Sequence, residues 1–414
     1  MLRVSTLRFV PLACLALGAC SCASLSASRR PAPPDPAVVS ANPNVQKVSA
    51  AGAGFGFRLL RRLTADQPSG NIFFSPFSIS EALMLTMNGA GGRTKQDMAQ
   101  TLGLGALPPA QLNAANALLL PSLENPDPKV EISVANALWA NQGIVFAPQF
   151  QADAKQFYRA ETTALDFGAP AGAQTINDWV STNTQGKITQ IVSQADIAHA
   201  SAVLTNAVYF HGLWQSPFDK AGTADGLFHL TGSRTKPVPL MSQENSFAYL
   251  QTPQFQAVSL PYGAGRLSMM VFLTTSGTRL DTFASGLSSQ RMNGWIAAMK
   301  PTRMTLFLPR FKADYSVTLN TSLSALGMGS AFGPGADFGP MGLKGVQISA
   351  VVHKAVLDVD EQGTTAAAAT GVTMTASIEF PPPPTMRVDR PFFCMIRDSI
   401  TGAVLFEGVI RAPQ

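Results

Sequence analysis

Hydrophobic positions recur with two periods along this chain, helical spacing early and strand spacing late. Leu83, Leu85 and Met87 follow Ser78-Ile79-Ser80-Glu81, whose Ser and Glu predict a capping box, and Gly89-Ala90-Gly91-Gly92 predicts the stop. Thr94-Lys95-Gln96-Asp97 predicts a second short helix by the same rule, and residues 289–299 a third. Val130, Ile132 and Val134 alternate as in a strand. The nearly continuous apolar run 202–210 suits a strand buried on both faces. Residues 227–230 and 236–241 flank a Thr-Gly-Ser-Arg turn as a hairpin, and 256–260, 267–273 and 304–308 add strands. Strands then dominate the end of the chain, at 346–359, 387–388, 392–397 and 404–410. Helices early and strands late argue for an α+β fold rather than a doubly wound one.

Composition makes a large core available. Of 414 residues 46% are hydrophobic and 13% charged, and mean hydropathy is +0.14. Such a chain is not disordered over most of its length. No apolar run reaches the roughly 20 residues that span a bilayer, which excludes a polytopic membrane protein. The net charge of +5 is spread over single Lys and Arg residues, so a nucleic-acid partner is not expected.

The N-terminus reads as an export signal. Arg3 and Arg8 precede an apolar stretch from Phe9 to Ala19, which ends in Leu17-Gly18-Ala19-Cys20. That box resembles a bacterial lipoprotein processing site, with residues 1–19 removed and Cys20 lipidated. The alternative is an ordinary cleaved secretory signal. Residues 20–46 are rich in Ser, Ala and Pro and are expected to form a tether, with a single domain from 47 to 414. Of Cys14, Cys20, Cys22 and Cys394, only Cys394 lies in that domain. The expected protein is therefore an exported monomer without internal disulfides, held to the outer membrane or cell surface by an N-terminal lipid, or secreted or periplasmic without one.

No catalytic motif emerges. The chain has no Gly-x-Ser-x-Gly elbow, His-Glu-x-x-His helix, Walker loop or zinc-ligand spacing. His353 lies in the apolar run Val351-Val352-His353-Lys354-Ala355-Val356, where a hydrogen-bonded core histidine is the expected reading. No metal and no cofactor are expected. One segment is unusual: residues 361–384 are long for a loop in a compact domain, and such loops tend to be functional. From Thr364 one alternating set reads Thr364, Ala366, Ala368, Thr370, Val372, Met374, Ala376, and the other is small or polar. That alternation is a strand pattern with one buried face, so the segment suits both an exposed loop and an inserted strand.

Glu361-Gln362-Gly363-Thr364-Thr365-Ala366-Ala367-Ala368-Ala369-Thr370 resembles the reactive-loop hinge of the serpins, the serine-protease-inhibitor superfamily. Asn71 to Ser80, Ile132 to Trp139, Leu204 to Trp214, Val352 to Val356, Arg390-Pro391-Phe392 and Leu405 to Gly408 are similar to further blocks of that family, in family order. The resemblance implies three β-sheets, about nine helices and an exposed reactive-centre loop. It also implies a metastable fold and suicide inhibition: a target serine protease cuts the loop, is trapped as an acyl-enzyme, and the loop inserts into the main sheet. No enzyme activity is implied. Residues 364–377 would reach about 46 Å as a strand at ~3.3 Å per residue. Counting forward from the hinge puts the reactive bond at Ser377-Ile378, which suits elastase- or subtilisin-like proteases; counting back from Pro391 gives Phe380-Pro381. Thr365 departs from the Glu that many members carry. Ser75, Ser78, Asn206 and His353 match the polar cluster where the main sheet parts, and Trp214 the tryptophan where the loop enters. The alternative within the family is a non-inhibitory binding or chaperone-like surface protein. A hydrolase would need a nucleophile–base pair that the sequence does not offer.

Overall fold

The computed structural model describes residues 33–124, 126–230, 234–364 and 383–413. Helix begins upstream of the expected boundary at residue 47, with α1 (Pro36–Ala41) and α2 (Pro43–Asp66). The Asp35 carboxylate accepts the Ala37 N–H at 2.8 Å, and Asn42 Oδ1 accepts the N–H groups of Asn44 and Val45. Pro36 and Pro43 occupy first helical positions, where a missing N–H costs nothing. Those prolines had marked a tether by composition, whereas next to Asp and Asn they mark helix starts. The tether assignment is thus corrected from residue 36 onward, where Val39 and Val45 are fully buried.

The remaining helices are α3 (Pro76–Asn88), α4 (Gly92–Leu102), α5 (Pro109–Glu124), α6 (Pro148–Tyr158), α7 (Ala171–Asn183), α8 (Gln194–Ile197), α9 (Leu280–Ser285), α10 (Ser289–Ala298) and α11 (Asn320–Leu323). The described residues thus hold eleven α-helices against about nine expected, and α8 and α11 are single turns of four residues. Two start signals were misplaced. Ser75, not Ser78, caps α3 by accepting the Ser78 N–H at 3.0 Å, which leaves Glu81 deep inside the helix and fully buried. α4 starts at Gly92, and the Thr94 hydroxyl accepts the Asp337 N–H instead of capping its own helix.

The strands are β1 (Ile72–Phe74), β2 (Val130–Asn141), β3 (Glu161–Leu165), β4 (Ala202–Leu213), β5 (Ala224–His229), β6 (Thr235–Gln251), β7 (Phe255–Pro261), β8 (Leu267–Thr274), β9 (Lys300–Pro309), β10 (Phe311–Thr318), β11 (Ala350–Val359), β12 (Gly363–Thr364), β13 (Thr385–Arg387), β14 (Phe392–Asp398) and β15 (Val404–Ile410). By hydrogen bonding they form two sheets. One runs β10-β11-β4-β2-β3, with β12 joined to the end of β4. The other runs β1-β15-β14-β8-β7-β6-β9-β13, with β5 on β6. Among the described residues two of the three expected sheets are thus continuous with each other. The long β6 pairs with β5 from Thr235 to Leu240, with β7 from Ala248 to Gln251, and with β9 from Leu240 to Tyr249.

β4 is central to the smaller sheet, and its two faces meet different cores. Leu204, Val208 and Phe210 face the main core shared with α2 and α3. Val203, Ala207 and Tyr209 face a second cluster with Trp139 and with Ile176 and Val180 of α7. Both faces are therefore buried, which explains why 202–210 reads as an unbroken apolar run.

Candidate functional site: the seam between β4 and β11

β4 and β11 run parallel, in register from Ala350 opposite Val203 to Val356 opposite Tyr209. Beyond Tyr209 that pairing stops, and β12 occupies the far end of β4 in antiparallel register, Gly363 opposite Leu213 and Thr364 opposite Gly212. The hinge residues Gly363 and Thr364 are thus already a strand. Gly363 has φ +143°, and a Cβ there would lie 2.2 Å from the Gly212 carbonyl oxygen, so glycine is required.

Thr364 is fully buried, and its hydroxyl lies 3.2 Å from that of Tyr262. Tyr262 stacks on Trp214 with ring centroids 4.3 Å apart and planes 14° apart. The Trp214 indole N–H donates to the Asp360 carbonyl at 3.0 Å, and its backbone N–H to the Gln362 carbonyl at 2.9 Å. The Asp360 carboxylate accepts the N–H groups of Gln362 and Gly363. This corrects one expectation: Thr364, read as part of the long loop 361–384, is already inside the sheet.

Glu361 anchors the same turn. Its side chain is 1% exposed, and its carboxylate accepts hydrogen bonds from Arg310 Nε at 2.8 and 2.9 Å and from the Thr223 hydroxyl. Desolvation alone would raise its pKa, but the hydrogen bonds from Arg310 and Thr223 outweigh it and hold the carboxyl below its ordinary value.

Halfway down the seam lies a polar row. Asn136 of β2, Asn206 of β4 and His353 of β11 are direct cross-strand neighbours. The Asn206 amide nitrogen donates to Asn136 Oδ1 and, at 3.0 Å, to the Ser78 carbonyl of α3. His353 Nδ1 donates to Asn206 Oδ1 at 2.5 Å, while its Nε2 accepts the Ser75 backbone N–H at 3.2 Å. That pattern fixes a neutral imidazole, and burial pushes its pKa down to about 3. With its one lone pair taken by a backbone donor, His353 cannot serve as a general base.

The described residues therefore bring Ser75, Ser78, Asn206 and His353 together in the middle of the seam, and Glu361, Gly363, Thr364 and Trp214 at its end. Thr365, Ala366, Ala367, Ala368, Ala369, Thr370, Ser377, Ile378, Phe380, Pro381 and Cys20 lie outside the described residues. Sequence reasoning missed Asn136, Thr223, Tyr262 and Arg310. Only Asn136 carried a signal, a polar residue within the apolar stretch of β2.

The Glu361–Arg310 contact generates a test. Charge-assisted hydrogen bonds contribute about 1.5–3 kcal/mol, so Glu361→Gln should lower the denaturation midpoint of the uncleaved protein accordingly. Because the folded-state pKa lies below the ordinary 4.5, the contribution is present above that value and is lost as pH falls through the folded pKa. Denaturation curves below pH 4.5 should therefore converge for wild type and variant. A constant gap at all pH values would show that the carboxylate charge is not what holds the turn.

The comparisons with known proteins agree with this geometry. A family model described as Serpin (serine protease inhibitor) matches residues 50–413. The chain is 34% identical over 378 residues to human Serpin B9, covering 89% of this chain and 100% of that protein. It is 33% identical over 385 residues to the leukocyte elastase inhibitor of Sus scrofa, covering 89% and 100%. The crystal structure of human thyroxine-binding globulin complexed with thyroxine superposes with a TM-score of 0.83 at 30% identity, over 90% of this chain and 100% of that one. Hinge, seam and family match lead to one conclusion: this chain belongs to the serpin family.

Proposed function

We propose that the protein is a suicide-substrate inhibitor of a serine endopeptidase, and that its loop inserts between β4 and β11 by extending the register of β12. The observation that carries this reading is Thr364 opposite Gly212 in antiparallel pairing. Continued residue by residue, that register sets Ala366 against Phe210, Ala368 against Val208, Thr370 against Asn206, and Met374 against Ala202, the first residue of β4. This set faces the main core. Ala367, Ala369 and Gly371 then fall opposite Tyr209, Ala207 and Thr205, on the face covered by α7, where their small side chains carry little steric cost.

Thr370 has a specific part in this register. Parting β4 from β11 breaks the His353–Asn206 hydrogen bond. A threonine hydroxyl placed between the two can donate to Asn206 Oδ1 and accept from His353 Nδ1, leaving neither polar group unsatisfied. The protease acylated on the loop competes its own hydrolysis against this insertion, and ladder bonds plus buried side chains drive insertion forward.

The cut must lie beyond Met374, the last residue with a partner on β4. Ser377-Ile378 meets that requirement and suits an elastase- or subtilisin-like target, while Pro381 disfavours cleavage after Phe380. The runner-up reading, a non-inhibitory binding protein, is kept by the likeness to thyroxine-binding globulin. We further propose that the mature chain is tethered to a cell-envelope membrane through lipidated Cys20, on the strength of the leader and the Leu-Gly-Ala-Cys box.

Two measurements test these proposals. Ala366→Arg would bury a guanidinium opposite Phe210 at a cost of several kcal/mol. Covalent protease complex should disappear while cleaved protein accumulates. Thr365→Arg, opposite the half-buried His211 on the other face, should retain most of the complex. An SDS-stable complex at wild-type stoichiometry with Ala366→Arg would overturn the register, and absence of complex in the wild type across a panel of elastase, subtilisin and chymotrypsin would favour the binding protein. Separately, Cys20→Ala expressed in a Gram-negative host should move the protein from the membrane to the soluble fraction; unchanged membrane association would remove the lipid anchor from the account.

A further inference from the structure

α3 faces the seam through Ser75 and Ser78, and its other side meets α2. The two helices approach closely at Gly56, where a Cβ would lie 2.7 Å from the ring of Pro76. One turn earlier the contact loosens: a Cβ on Gly52 would lie 3.5 Å from Ser80 Oγ, an ordinary separation. At this level Ser49, Ser80 and Glu81 line a void of ≈ 10 Å³, with Met84 and Leu119 among its apolar walls. The three polar residues are 3%, 4% and 0% exposed. Among the described residues Ser49 Oγ, Ser80 Oγ and both carboxyl oxygens of Glu81 have no partner in hydrogen-bond geometry, the Asn116 side chain lying near the Glu81 carboxyl but outside it.

Four buried oxygens around one small void are costly unless something satisfies them. A void of this size holds about one water, and a water needs two to four polar neighbours. A metal ion fits poorly, because a single carboxylate and two hydroxyls supply too little charge and too few ligands. We infer that the α2–α3 joint is a binding site for one water molecule, held by the side chains of Ser49, Ser80 and Glu81. Burial also raises the Glu81 pKa to about 8, so at neutral pH the carboxyl is mostly protonated and offers the water both a donor and an acceptor. α3 is then bonded directly to the sheet on one side and joined to α2 through an exchangeable molecule on the other.

A high-resolution crystal structure of the full chain tests this without any variant having to fold. A solvent peak is expected within about 2.6–3.2 Å of Ser49 Oγ, Ser80 Oγ and a Glu81 oxygen. Glu81→Gln, which keeps a donor and an acceptor, should retain the peak, and the double variant Ser49→Ala, Ser80→Ala should lose it. The assignment is overturned if the wild-type site has no peak, if Glu81 bonds directly to either serine, or if the peak survives in the double variant.

Discussion

The structure depends on one pairing, the parallel ladder between β4 and β11. It is complete from Val203 to Tyr209, so the sheet is closed along most of its length. Past Tyr209 the two strands separate enough for Gly363 and Thr364 to pair with β4 from the opposite direction. A parallel pair with an antiparallel strand already lodged at one end is a seam with a defined place to open. The surrounding residues serve that place: Trp214 and Tyr262 floor it, Glu361 and Arg310 hold the turn that leads into it, and Gly363 alone permits the close backbone contact.

Opening the seam has a local cost concentrated at His353 and Asn206. Elsewhere along it the facing side chains are apolar or small apart from Lys354, whose ammonium pairs with Asp314 of β10 rather than across the seam, and parting them sacrifices dispersion and ladder bonds that an incoming strand would restore. At the polar row, separation would strand a buried amide oxygen and an imidazole N–H, a penalty of about 1–3 kcal/mol for each group. The position of Thr370 in the proposed register addresses that penalty. The same row explains why His353 is neutral and why its chemistry is structural. Its two nitrogens are committed to Asn206 and to the Ser75 backbone.

Much of this site was legible in the sequence, but unevenly. The hinge composition, Asn206 and His353 stand out because each interrupts an otherwise apolar or low-complexity run. In the proposed register the alternation of residues 364–376 would match the two faces of β4, one toward the main core and one toward α7. Tyr262, Arg310 and Thr223 were not legible, because their contacts with Thr364 and Glu361 span 102, 51 and 138 residues of chain. The N-terminal helices were missed for a different reason: proline-rich composition suggested a tether, while the Asp35-Pro36 and Asn42-Pro43 pairs are helix starts. Glu81 fell into a capping pattern three residues too late, and its burial follows from the earlier cap at Ser75.

The central claim is that the free loop lowers its energy by joining the seam. The most direct measurement is the melting midpoint of the intact protein and of the same protein after limited cleavage within residues 375–380, under identical conditions. Insertion completes a central strand, so the account predicts a higher midpoint after cleavage. Nicking of a loop that never pairs leaves stability unchanged or lowers it, and either of those results would contradict the account.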